Sequence, residues 1–96
     1  MNTLKPDQLE TFLQQSPQLV DIRPAAEFAK GSLGGALNVP LAEVQGGRHG
    51  LPKDRPILLI CERGMQSELA GLYLETQGYA QVWNLAGGLR KLGLGK

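Results

Sequence analysis

Apolar positions recur with two different periods along this chain, and each change of period marks an element. Leu9, Phe12 and Leu13 fall at i, i+3 and i+4 within residues 6–15, with Pro6 suited to a first helical turn and Asp7 and Glu10 near its positive end. This predicts an amphipathic helix, stopped by Ser16 and Pro17. Residues 18–22 read as a short strand. Pro24 then opens a short helix on which Ala25, Phe28 and Ala29 share a face, and Gly31 with Gly34 and Gly35 closes it. Residues 36–39 form a brief strand candidate cut by Pro40, and residues 41–44 a single helical turn. After a polar, glycine-rich loop, the run from Pro56 to Ile60 is continuously apolar, the pattern of a central strand buried on both faces. From Gln66 the spacing turns helical again: Leu69, Ala70, Tyr73 and Leu74 recur on one face, Leu72 widens it, and Gly78 is placed as the C-cap. Residues 81–85 are the last strand candidate and residues 89–92 a short helical tail, with residues 93–96 expected to fray.

Strands that alternate with helices imply an α/β fold, a small central parallel β-sheet flanked by helices on both faces. Ninety-six residues suit a single domain, 1–96, with one core and one site. No internal repeat or low-complexity segment interrupts it. Ten Lys and Arg against nine Asp and Glu leave a net charge of +1 with no run of like sign, so neither nucleic acid nor an acidic membrane surface is implied as a partner. No apolar stretch approaches the roughly 18 residues of a membrane-spanning helix, and the polar start, Met1 to Asp7, lacks a signal-peptide core. A cytoplasmic location follows by default. His49 is the only histidine and Cys61 the only cysteine, so no metal set, cofactor site or internal disulfide is expected.

Cys61 stands where the apolar strand of residues 56–60 ends and a short segment, Glu62-Arg63-Gly64-Met65-Gln66-Ser67, leads into a helix. Ligands of open parallel sheets bind outside the carboxyl ends of strands, and a helix N-terminus presents unpaired N–H groups that favour an anion, here a thiolate. The alternative is a buried, inert core cysteine, the usual fate of a lone thiol.

Three segments, in order, resemble the rhodanese-like sulfurtransferases. Val20-Asp21-Ile22-Arg23, Glu27-Phe28 and the stretch from Gly31 through Gly35-Ala36-Leu37-Asn38-Val39-Pro40 are similar to the first family signature; the Cys61 loop is the second; Val82-Trp83-Asn84-Leu85-Ala86-Gly87-Gly88 resembles the closing one. The match runs from Val20 to Gly88, and the length is similar to that of single-domain members. The resemblance implies a rhodanese-like fold and a ping-pong sulfurtransferase of the thiosulfate sulfurtransferase type. In it Cys61 carries a persulfide, taking sulfur from thiosulfate or a similar anion and passing it to cyanide or a thiol. It also implies that the persulfide is held mainly by backbone N–H groups. The family's histidine after the glycine is Ser32 here, the aromatic beyond the second glycine is Leu92, and Gln66 stands where many single-domain members carry arginine.

Within the loop, residues 62–67 are the candidate cradle and substrate-binding segment. Gly64 permits a positive φ. Ser67 either caps the helix or donates to the persulfide. Glu62 opposes a neighbouring anion and reads as a solvated loop face, whereas Arg63 offers a donor fork to a sulfonate-like group or is solvated too. Asp21, Arg23 and Glu27 read as scaffold rather than catalysts, Trp83 and Tyr73 as core or rim aromatics, and Arg90 and Lys91 as a solvated face. A Cys-x5-Arg phosphatase loop does not fit, because the position that arginine would occupy is Ser67. Two further readings stay open: a non-catalytic docking or regulatory module, and a persulfide relay fed by a sulfur-relay protein such as a cysteine desulfurase.

Overall fold

The elements follow in the order β1 (Asn2–Leu4), a 3-10 turn (Pro6–Gln8) running into α1 (Leu9–Leu13), β2 (Gln18–Asp21), α2 (Ala25–Phe28), β3 (Leu37–Asn38), α3 (Leu41–Gln45), β4 (Ile57–Ile60), α4 (Met65–Thr76), β5 (Val82–Leu85) and α5 (Gly88–Lys91). The structure is a computed structural model, and it describes residues 1–94. The five strands form one sheet in the order β1-β5-β4-β2-β3, with every neighbouring pair parallel. Among the described residues no helix is long and apolar enough to cross a membrane.

The continuous apolar run at β4 occupies the centre because both of its faces are covered. Ile57, Leu59 and Cys61 face one core with Val20, Val44, Ala70, Leu74 and Val82. Leu58 and Ile60 face the other with Leu4, Phe12, Leu85 and Leu89. Side chains alternate along a strand, so the same period-2 geometry that buries Ile57 and Leu59 against α4 turns Cys61 toward the start of that helix.

Several elements depart from the pattern reading. Strand β1 was not expected: only Leu4 of its residues is buried, and its polar positions become a strand by pairing with the edge of β5 at Asn2↔Trp83 and Leu4↔Leu85. The first helix is shorter than residues 6–15, its opening turn being 3-10, and Leu13 is exposed. The third strand shrinks to Leu37–Asn38. On α4 the buried face is Ser67, Ala70, Gly71 and Leu74, while Leu69 and Leu72 are exposed. Small side chains at three of those four positions let the helix sit close to the sheet, so the face rotates away from the larger leucines. The loop before β4 carries a buried Leu51, whose N–H donates to His49 Nδ1 at 3.1 Å and whose carbonyl accepts the Tyr79 hydroxyl at 2.5 Å. Gly93 and Leu94, expected to fray, donate backbone hydrogen bonds to Arg90 and Leu89. Gly95 and Lys96 lie outside the described residues.

Candidate functional site

Beyond Ile60 the chain leaves the sheet, and Cys61 forms part of the wall of a cavity of about 440 Å³. The other wall residues are Arg23, Pro24, Glu27, Glu62, Arg63, Met65 and Gln66. Cys61 is only 4% exposed, so the thiol is buried like a core cysteine and yet opens on a cleft.

The loop geometry follows from Gly64. Its φ of 87° and ψ of −2° place it in the left-handed region, which turns the chain from the loop into the helix, and its N–H donates to Cys61 Sγ at 3.0 Å. A Cβ at this position would lie 2.9 Å from Gly87 N and 3.1 Å from Leu85 O, so glycine is required by space as well as by φ. Helix α4 starts at the next residue with Gly64 as N-cap, and the N–H groups of its first turn, lacking intrahelical acceptors, bring their partial positive charge close to the thiol. The base of the loop is clamped from α5: Leu89 N–H donates to Cys61 O at 2.9 Å and Arg90 N–H to Glu62 O at 3.0 Å. This approach explains the paired glycines, because a Cβ on Gly88 would sit 2.5 Å from both of those carbonyl oxygens.

The loop residues separate into two groups. Glu62, Arg63, Met65 and Gln66 line the cavity, whereas Gly64 and Ser67 are buried behind the thiol. Ser67 is not the helix cap, being the third residue of α4; its Oγ lies 3.4 Å from Cys61 Sγ, 3.2 Å from Gly64 O and in direct contact with Asn84 Oδ1. Glu62 is half-buried rather than simply solvated, since its carboxylate lies 3.6 Å from Arg23 Nη1. That pairing offsets its charge beside the thiol. Arg63 is exposed and enters no ion pair among the described residues, which leaves one cation at the cleft mouth without a fixed counter-charge.

Asp21 and Arg23 form a closed unit next to the cleft. Asp21 Oδ2 accepts Arg23 Nη2 at 2.8 Å and Ser32 Oγ at 2.7 Å, Asp21 Oδ1 accepts the Arg23 backbone N–H at 2.9 Å, and Arg23 Nη2 also reaches Gly31 O at 2.6 Å. The hydrogen bonds to Asp21 are the largest influence holding the guanidinium above its usual range; desolvation works against them, and the charges of Asp21, Glu62 and Glu27 reinforce them. Scaffold is therefore the role the geometry gives this pair. Trp83 packs on Phe12 with ring centroids 5.0 Å apart, and Tyr73 lies against the core under α4, both as packing aromatics. Asn84 carried no role in the sequence pattern, and it is the polar residue that the fold brings into this site unannounced.

The sequence and the fold match known proteins. The rhodanese-like domain family matches residues 5–93. A sulfurtransferase of Allochromatium vinosum is 42% identical over 71 residues, covering 74% of this chain and 66% of that protein. The thiosulfate sulfurtransferase GlpE of Pseudomonas putida is 36% identical over 86 residues, covering 88% of this chain and 78% of that protein. Among solved structures, a rhodanese homolog from Thermus thermophilus superposes with a TM-score of 0.82 at 42% identity, over 94% of this chain and 99% of that one. The chain belongs to the rhodanese-like family.

Proposed function

We propose that the protein is a sulfurtransferase that moves sulfane sulfur from thiosulfate or a related anionic donor to cyanide or a thiol through a persulfide on Cys61. The observation that carries this reading is the Gly64 N–H held 3.0 Å from Cys61 Sγ at the floor of an open cleft. A backbone donor aimed at the sulfur favours its anionic form and needs no reorganisation when charge develops. The Cys61 thiolate attacks the outer sulfur of thiosulfate; the new S–S bond forms as the old one breaks, and sulfite leaves with the bonding pair. Cyanide then attacks the outer sulfur of the persulfide, giving thiocyanate and returning the pair to Cys61 as thiolate. A thiolate acceptor in place of cyanide becomes a persulfide by the same displacement. Arg63, exposed at the mouth without an ion-pair partner among the described residues, suits the sulfonate end of the donor.

A second reading, a relay loaded by a protein donor, is favoured by one observation. Met65 lines the cleft and is 74% exposed, and Leu69 and Leu72 extend from it along α4 as exposed apolar side chains. Intact-protein mass after parallel incubation with thiosulfate, mercaptopyruvate and a protein persulfide separates the two. Gain of one sulfur from the small donors supports the first reading, and gain from the protein persulfide alone supports the relay. No gain from any donor on folded protein would leave a non-catalytic docking module.

A further inference from the structure

Asn84 is 2% exposed and sits in β5 opposite Leu59, on the sheet face that carries Val82 and packs against α4. An amide buried on an apolar face is costly unless it is hydrogen-bonded, and an apolar residue would fill the same place at less cost. Its Oδ1 meets Ser67 Oγ, and Ser67, fully buried, lies 3.4 Å from Cys61 Sγ. Three atoms, Asn84 Oδ1, Gly64 O and Cys61 Sγ, thus surround one hydroxyl that has a single proton.

The proton count couples these groups. While Cys61 is a thiol, its S–H donates to Ser67 Oγ and the Ser67 O–H donates to Asn84 Oδ1. Once Cys61 is a thiolate it can only accept, so a hydrogen bond between Ser67 and Sγ requires the Ser67 O–H to turn away from Asn84 Oδ1 and Gly64 O toward the sulfur. The Ser67 lone pairs then face Asn84, and Oδ1 opposite them would be repulsive. Rotating the amide by about 180° puts Nδ2 there instead, and an N–H donates to Ser67 Oγ. An amide serves both states, whereas a carboxylate serves only the thiol. We propose that Asn84 is a positioning residue of the sulfur-transfer reaction, turning its amide to convert the Ser67 hydroxyl from acceptor of the Cys61 thiol into donor to the Cys61 thiolate. This rests on Cys61 being the nucleophile, and it acts on both half-reactions, at attack on the donor and at departure of the thiolate from the spent persulfide.

The test is the rate of Cys61 alkylation by iodoacetamide against pH in wild type, Asn84→Asp, Asn84→Leu, Ser67→Ala and the Ser67→Ala/Asn84→Leu pair. Arg23 from the turn after β2, Glu27 from α2, and Glu62 and Arg63 from the loop line the same cleft and are unchanged in every variant, so differences between profiles belong to the network. The expected result is a profile moved to higher pH by about one unit in Asn84→Asp, a tenfold change in the thiolate-to-thiol ratio. Ser67→Ala shifts the same way, Asn84→Leu shifts by less, and Asn84→Leu adds nothing once Ser67 is alanine. If Asn84→Asp does not fold, Asn84→Leu, which buries no charge, carries the test. An Asn84 profile that superimposes on wild type, or an Asn84→Leu shift undiminished in the Ser67→Ala background, overturns the proposal. The same wild-type sample incubated with thiosulfate and protein persulfide tests the sulfur-transfer reading separately, because alkylation requires no sulfur donor.

Discussion

Strands β2 and β4 lie side by side in register, Asp21 opposite Ile60, and the residues that follow each strand end face the same cleft with opposite outcomes. After β2, Asp21 and Arg23 consume one another: both carboxylate oxygens are taken by Arg23, with Ser32 on one of them, and the guanidinium also closes on Gly31 O. After β4, Cys61 receives one backbone N–H and one hydroxyl contact and opens on the cavity. The Asp21–Arg23 pair thus has little left for a substrate. The loop after β4 carries charges of its own, Glu62 and Arg63, on the cleft wall, and it keeps a backbone donor oriented on an atom that can still react. A charged cluster at a strand end is therefore a poorer guide to the proposed chemistry than a loop glycine whose N–H points at the sulfur.

Removing Arg23 breaks the closed end most severely. Arg23→Ala leaves the Asp21 carboxylate buried without its partner and is expected to cost about 3–5 kcal/mol in urea unfolding. A loss under about 1 kcal/mol would mean that the pair is not the structural unit described. At the open end, Gly64→Ala forces a Cβ to within 2.9 Å of Gly87 N at a φ of 87°, with an expected strain of about 1–3 kcal/mol. Because the same distortion moves the N–H off Sγ, sulfur loading should fall by more than the stability loss explains, as stopped-flow loading on the folded fraction would reveal. Arg63→Ala should leave the melting curve unchanged and lower kcat/KM for thiosulfate by about tenfold, with less effect on an uncharged donor. Equal loss for both donors would remove Arg63 from substrate binding.

The smallest effect lies away from both ends. Burial holds the Tyr79 phenol above its ordinary value, so the folded state keeps the proton that the unfolded chain releases first. The associated stability is complete below about pH 10 and is lost as pH rises from there through the folded value. Tyr79→Phe should cost about 1 kcal/mol at neutral pH, through the bond to Leu51 O, and flatten that alkaline decline in a denaturation series. Parallel alkaline declines in the two proteins would contradict the assignment.

The central strand, the helix after it and the cysteine between them were legible because each depends on local pattern: a continuous apolar run, a period of about 3.6 and a glycine three residues past Cys61. Strand β1 was not legible, since its residues show no pattern of their own and exist as a strand only beside β5. The α4 face was misjudged toward Leu69 and Leu72 because hydrophobicity ranks leucine above serine and glycine, whereas close helix–sheet packing selects small side chains at 67, 70 and 71. Within the candidate site, the placement of Cys61 and Gly64 in the loop after β4 could be read from the chain. The ion pair of Glu62 with Arg23 could not, because those residues meet only when β2 and β4 are adjacent. Asn84 was hidden for the same reason: its partner, Ser67, lies on the first turn of α4.

Peptide mapping by mass after thiosulfate loading, followed by cyanide, tests directly whether the thiol at the end of β4 carries the transferred sulfur. The expected result is one extra sulfur per chain on the peptide containing Cys61, discharged as one equivalent of thiocyanate, and no sulfur on folded Cys61→Ser. Sulfur retained by folded Cys61→Ser, or a wild-type Cys61 that stays unmodified while thiocyanate is produced, would contradict it.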